Sequence, residues 1–364
     1  MGGVIPIPPR AFIHAPLAQR VVFGADGLSR VGAELDAMGA RRVLVLCTPG
    51  QRALGERVVA AIGPRAAGLH AEARMHVPVP VAEAAVARAQ ALGADALLAA
   101  GGGSTIGLAK AVALSTHLPI LALPTTYSGS ENTSIWGLTE GGAKTTGRDP
   151  RALPKVVVYD PSLTLDLPVG ISAVSGLNAI AHAVEVLYAP DRTPVTELMA
   201  EEGIRALAAA LPALMDAPRD PGARSEALYG AWLCGTVLGQ ATMGLHHKLC
   251  HALGGGFDLP HAETHSVILP HAAAFNAPAA PEAMARIARA LGAEDAPGGL
   301  WSLARRLGAP LSLAALGMRE EDLPRAIRLA TASPYANPRP VTEEGIAALL
   351  ARALAGDAPL TGPP

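Results

Sequence analysis

A chain of 364 residues, half of them apolar and 16% charged, can bury a large interior and is too long for one small core. Its 29 Lys and Arg against 31 Asp and Glu leave a net charge of −2, and only 3% of it is aromatic. That balance argues against disorder and against a nucleic-acid partner, which would ask for a basic face and stacking platforms. Three cysteines, Cys47, Cys234 and Cys250, make neither an even framework nor a CxxC pair and fit a reduced, cytoplasmic protein. Residues 1–10 lack a signal-peptide pattern, and no uninterrupted apolar run reaches the roughly 18 residues of a membrane span.

Residues 43–47 are a short apolar run closed by Thr48-Pro49-Gly50, the pattern of a buried parallel strand. Residues 81–92 are Ala-rich and predict a helix, with Gly93 where its left-handed end belongs. A strand over 96–100 stops at three glycines, a helix follows over 104–114, and 119–123 and 155–159 predict two more strands. This alternation predicts a mostly parallel sheet with right-handed crossovers. After Asp160-Pro161 strand patterns nearly vanish: 174–187, 196–211, 225–253, 280–291 and 343–355 all predict helices. The expected architecture is an α/β dinucleotide-binding domain over 1–162 and an all-helical substrate and catalytic domain over 163–364, with the ligand in the cleft between them.

Gly101, Gly102, Gly103 and Ser104 follow a predicted strand and open a predicted helix. Glycines there let backbone N–H groups approach a pyrophosphate, and the helix end favours its charge. The spacing departs from the usual dinucleotide fingerprint, since Ile106 stands where the third glycine would, so a plain tight turn accounts for it equally well. A second loop, 124–131, also follows a strand and gathers the hydroxyls of Thr125, Thr126, Ser128 and Ser130, which suit a ribose or an amide. Two such loops at one sheet edge favour a dinucleotide.

Six of the 11 histidines fall between positions 246 and 271, and His182 lies four residues after Asn178. Residues four apart share a helix face, so Asn178 with His182, and His247 with His251, are candidate pairs projecting into one cleft together with His261. His246, His265 and His271 read more simply as core histidines. Three imidazoles would suit Zn or Fe with a carboxylate as fourth ligand, but Asn178 offers a neutral amide and would leave the dication unbalanced. No bound metal is expected.

Together these motifs resemble the iron-containing alcohol dehydrogenase superfamily and, within it, its maleylacetate reductase branch. The 101–104 cradle and the 124–131 loop look like that family's cofactor elements. The stretches 136–150, 175–185, 244–251 (Gly-Leu-His-His-Lys-Leu-Cys-His), 257–265 and 337–341 are similar to the reductase branch, so the likeness runs over nearly the whole chain. His182, His247 and His261 match the histidine ligands of metal-dependent members, which carry an aspartate at the position of Asn178; the reductase branch is regarded as working without a metal. His251 matches a histidine associated with proton transfer. Asn132, Ser134 and Ala336 depart from that branch, which more usually shows Met, Pro and a bulkier residue.

The resemblance implies a homodimer that uses NADH or NADPH to reduce the conjugated C=C bond of maleylacetate, giving 3-oxoadipate in aromatic-compound degradation. Hydride delivery β to the ketone leaves an enolate that needs a donor and a proton, a task for imidazole. The expected acid is His251 or His247, with His182 and Asn178 orienting the substrate and Tyr335 as a second donor. Lys248, Arg339 and Lys144 are candidates for holding the dicarboxylate, Lys144 being equally a candidate cofactor contact. No acidic residue follows the second strand, so both nicotinamide cofactors are expected. Rival readings are a metal-dependent alcohol or aldehyde dehydrogenase, a reductase of a related enoate, a lyase of the dehydroquinate synthase type and a non-catalytic nucleotide-binding protein.

Overall fold

The computed structural model describes residues 12–141 and 143–360. The N-terminal part runs β1 (Arg20–Phe23), α1 (Gly27–Ala37), β2 (Val43–Leu46), α2 (Arg52–Ile62), β3 (Ala66–His70), α3 (Val79–Ala91), β4 (Ala96–Gly101), α4 (Gly103–Thr116), β5 (Ile120–Pro124), β6 (Ile135–Glu140), β7 (Ala143–Arg148) and β8 (Val156–Tyr159). Six of these strands form one sheet in the order β1-β8-β5-β4-β2-β3, every neighbouring pair parallel. The central strands β2, β4, β5 and β8 are buried at every residue. Alternate residues face opposite layers: Leu44, Leu46, Leu97 and Ala99 pack with α3 and α4, Val43, Val45, Leu98 and Ala100 with α1 and α2. The predicted α/β class is the observed one.

Beyond the sheet the chain is helical: α5 (Val169–Val186), α6 (Pro194–Asp216), α7 (Pro221–Gln240), α8 (Leu245–Phe257), α9 (His261–Asn276), α10 (Pro281–Leu291), α11 (Ala296–Arg306), α12 (Leu323–Thr331) and α13 (Glu343–Ala355). α5 is the one helix among the described residues long and apolar enough to cross a membrane, with a mean hydropathy of 1.3, but 83% of it is buried inside the protein. It is the axis of the helical core, packed with Leu207, Leu211, Leu228 and Leu269 from α6, α7 and α9.

One predicted helix is corrected. The apolar pattern over 225–253 continues without a break, yet the chain leaves α7 after Gln240 and restarts α8 at Leu245. Ala241 is fully extended at φ −136°, ψ 162°. Carboxylates from outside the segment take its backbone donors: Asp191 accepts from the Thr242 N–H and hydroxyl, and Glu185 accepts from the N–H groups of Gly244 and His246. Tertiary acceptors thus outcompete local helix periodicity. The β6–β7 hairpin, unpredicted, occupies the stretch 135–148.

Candidate active site

The C-terminal ends of β4 and β5 lie side by side, with Gly101 opposite Pro124. Gly102 is the N-cap of α4 and makes no side-chain capping bond, so the first-turn N–H groups of Gly103 and Ser104 point out of the helix without an acceptor of their own. The neighbouring loops close on the first two glycines so tightly that side chains there would not fit. A Cβ on Gly101 would collide with Thr105 Oγ1, and one on Gly102 would lie 2.7 Å from Thr126 Cγ2. Gln51, after β2, donates to Thr125 Oγ1 at 2.7 Å and ties the two loops together. A glycine cradle at a helix N-terminus beside a hydroxyl-bearing loop fits the pyrophosphate of a dinucleotide.

Two buried cations fix the hydroxyl loop. Lys110 of α4 donates to the carbonyls of Ser130, Thr133 and Ile135 at 2.7–2.8 Å and to Thr133 Oγ1 at 2.9 Å. Burial pushes its ammonium down to about 7, against the opposing charge of Glu131. Arg224 of α7 is wholly buried and holds Tyr127 Oη at 3.0 Å, Ser172 Oγ at 2.8 Å and the carbonyls of Leu167 and Pro218. Beneath the loop, Asn132 Nδ2 donates to Tyr159 Oη, which donates to Glu131 Oε1 at 2.7 Å. Burial raises the Glu131 carboxyl and, with Glu131 beside it, the Tyr159 hydroxyl. The departure at Asn132 from its expected pattern is therefore part of a buried network. The loop also meets α7 backbone to backbone: a Cβ on Gly235 would lie 2.7 Å from Gly129 Cα.

The histidines come together across this edge from three helices. α5 presents Asn178, His182 and Glu185, spaced by four and three residues, along one face. α8 contributes His246, His247 and His251; α9 opens with His261 and carries His265 one turn on. Ring centroids of His182 and His247 are 5.1 Å apart, His247 and His251 6.3 Å, His251 and His261 6.4 Å, and His261 and His265 4.4 Å. His251 stands at the exposed mouth and His182 at the buried floor. Burial, reinforced by neighbouring imidazoles, holds His182, His246 and His265 well below the usual imidazole range, so these three are neutral at physiological pH.

Sequence reasoning missed part of this cluster. His246 and His265 are not isolated core histidines: His246 Nε2 and His265 Nδ1 are 2.9 Å apart, and the His265 ring lies 5.0 Å from that of His247. His271 does sit apart, edge-on to Trp301, with burial pushing it down to about 4. Glu185, overlooked, places its Oε2 2.6 Å from Nδ1 of His247, within hydrogen-bond distance. Its signal was present, since it is the only charged side chain in the sequence of α5 and falls on the Asn178–His182 stripe.

The other candidates are placed as follows. Tyr335 is half-buried, its hydroxyl pushed up to about 12 by burial and by Glu185, and its Oη has no hydrogen-bond partner among the described residues. Lys248 Nζ lies 5.7 Å over the Tyr335 ring. Arg339 is turned away: it donates to the Phe275 carbonyl and stacks on the Phe275 ring at 4.6 Å. Phe275 is ten residues past His265 on α9, about 15 Å along the axis at 1.5 Å per residue, so Arg339 secures the 334–341 segment rather than facing the cluster. Lys144 is on β7 opposite Thr139, and its side chain lies outside the described residues.

Asn178 Oδ1, His182 Nδ1 and His247 Nε2 are all buried and have no hydrogen-bond partner among the described residues. As a metal site with His261 the set would be an amide and three imidazoles, all neutral, so a divalent ion would keep its full charge in a buried setting. Glu185, the carboxylate on the same helix as Asn178 and His182, is occupied by backbone donors and by the far nitrogen of His247. This neutral donor set would hold a divalent ion more weakly than one that includes a carboxylate. Among the described residues, the one trio of thiol, imidazole or carboxylate groups whose donor atoms all approach within 4.8 Å is a different one, His246, Cys250 and His265.

Comparison with known proteins gives two family matches. The iron-containing alcohol dehydrogenase description fits residues 18–161, and that of the Fe-containing alcohol dehydrogenase family, C-terminal, fits residues 172–354. The maleylacetate reductase of Sphingobium indicum is 57% identical over 350 residues, 96% of this chain and 99% of that one. The crystal structure of maleylacetate reductase from Rhizobium sp. strain MTP-10005 matches with a TM-score of 0.92 at 53% identity, covering 97% of this chain and 100% of that one. An iron-containing alcohol dehydrogenase from Corynebacterium glutamicum matches with a TM-score of 0.91 at 44% identity over 95% and 98% of the two chains.

Proposed function

Because the chain belongs to the iron-containing alcohol dehydrogenase family, we propose that it is an oxidoreductase that reduces the conjugated C=C bond of maleylacetate to 3-oxoadipate. The observation that carries this reading is the likeness to maleylacetate reductases, at 57% identity along 96% of the chain, which includes every segment of the histidine cluster. NADH or NADPH, held at the Gly101–Ser104 cradle with Thr125, Thr126, Ser130 and Lys144, supplies the hydride when bound. Neither an acidic side chain nor a basic one dominates the loop after β2, which supports acceptance of both.

The chain's own residues do the rest. Hydride addition β to the ketone places negative charge on the ketone oxygen, where Asn178 and neutral His182 at the floor orient it and Tyr335, a protonated hydroxyl, donates to it. The proton for the α carbon comes from His251, which stands at the mouth and exchanges with solvent, while His247 beside it orients the substrate. Lys248, above Tyr335, is positioned to meet a substrate carboxylate. An enolate delocalised over a ketone is held by such donors without a Lewis acid, so the reading includes turnover without a divalent metal. We further propose a cytoplasmic homodimer serving aromatic-compound degradation; three buried, unpaired cysteines support the reducing compartment.

The test is nicotinamide oxidation by chelator-treated protein with enzymatically generated maleylacetate. Turnover to 3-oxoadipate supports both parts of the reading. Silence, with activity on simple alcohols or aldehydes after Fe or Zn is restored, supports the second reading, a metal-dependent dehydrogenase, which the three unpartnered atoms of Asn178, His182 and His247 favour.

A further inference from the structure

A buried carboxylate needs donors, and Glu185 has four. Its Oε1 accepts from the His246 N–H at 2.7 Å; its Oε2 accepts from the Gly244 N–H at 3.1 Å, the His247 N–H at 3.4 Å and His247 Nδ1 at 2.6 Å. Three of these donors are the opening backbone of α8, whose N-cap, Gly244, has no side chain to cap with. The fourth differs in kind. Oε2, the atom that faces Nδ1, also accepts two backbone N–H groups, surroundings that suit a carboxylate oxygen and not a hydroxyl. Nδ1 is therefore the protonated atom of the contact, and Nε2 is the buried atom left without a hydrogen-bond partner among the described residues, on a ring whose centroid lies 5.1 Å from that of His182.

We infer that Glu185 is a positioning residue for His247, selecting its Nδ1–H form and locking the ring so that Nε2 is presented to the reacting centre. One helix thus does two things. Its Asn178 and His182 display polar atoms directly, and seven residues after Asn178 its carboxylate reaches across to aim a third from α8. The effect on turnover rests on the reductase reading above; the protonation pattern of His247 does not.

The experiment has two arms. Enzyme labelled with 15N at histidine, the His247 signals assigned by their loss in His247→Gln, reports directly which ring nitrogen bears hydrogen. Nδ1 protonated in the wild type, and a shift toward Nε2–H in Glu185→Gln, are expected; a bare Nδ1 in the wild type overturns the inference. In the second arm, Glu185→Gln is expected to lower kcat about 10- to 100-fold with KM for maleylacetate within about threefold. Asp191→Asn loosens Thr242 just ahead of α8 without touching His247, and is expected to keep kcat within about threefold. Unchanged kcat in Glu185→Gln, or an equal loss in Asp191→Asn, overturns the positioning role. If the wild type does not reduce maleylacetate, the reductase reading fails and the labelling arm alone decides Glu185.

Discussion

The contact of Gly235 with Gly129 permits a sharp test of how the helical part holds the cofactor edge. Gly235 is inside α7, where alanine is favoured over glycine by about 0.8–1 kcal/mol on propensity alone. A Cβ there, however, would lie 2.7 Å from the Cα and carbonyl oxygen of Gly129 and from Asn132 Nδ2. Ordinary contact begins near 3.4 Å, so the loop must retreat by about 0.7 Å, and the atoms met are largely backbone. Overpacking of this kind costs about 1–3 kcal/mol, so the net destabilisation of Gly235→Ala is roughly 0–2 kcal/mol. The kinetic effect is larger, because the displaced loop carries Thr126 and Ser130 and passes His182. A misplacement approaching 1 Å lowers kcat/KM by up to about 100-fold. Thermal melts, cofactor titration by fluorescence and steady-state kinetics would measure this beside Gly170→Ala, a helical glycine with nothing within 4 Å of its Cβ position. If Gly235→Ala melts as high as that control and keeps wild-type cofactor affinity and kcat/KM, the close approach plays no part in the site.

Three further outcomes are expected. Lys110 titrates near 7 in the folded protein and near 10.4 when unfolded, so between those values the unfolded chain binds more protons and stability rises with pH. Urea midpoints at the two ends of that window should show the rise in the wild type relative to Lys110→Met, the difference cancelling the opposing slope of the buried cysteines, whose pKa values burial raises. Gly102→Val, which pushes branched carbon into Thr126, should weaken dinucleotide binding by at least about tenfold, as read by calorimetric titration, and lower stability by about 1–3 kcal/mol. Asn178→Asp supplies the missing negative charge, and metal analysis after purification without chelator should find more Zn or Fe than in the wild type; equal metal content would show that charge balance does not govern this site.

The interior of the sheet was legible because fully buried parallel strands are continuous apolar runs, and β2, β4, β5 and β8 are such runs. The edge strand β1 and the β6–β7 hairpin were not, being half-exposed and mixed in character. The break between α7 and α8 is invisible locally because its cause, two carboxylates at 185 and 191, lies some 50 residues away. In the site, helical spacing was enough to pair Asn178 with His182. It could not show that α9 folds back on α8 so that His265 joins His246, nor that Arg339 is spent on Phe275. Spacing reports which side chains share a face, whereas cross-helix neighbours are fixed by packing.

Much of the bonding that holds the hydroxyl loop and the residues just after it runs to main chain. Lys110 takes three carbonyl oxygens, Arg224 reaches the loop only at Tyr127, and Gln19 adds the Glu131 carbonyl. Because peptide carbonyls are common to every residue type, the scaffold does not depend on which side chains the loop displays at Thr126, Ser128 or Ser134. The path of the chain and its chemical face are thereby uncoupled. Substitutions in this loop can retune which cofactor or acceptor is favoured while the frame beneath stays fixed, and binding has little backbone left to order.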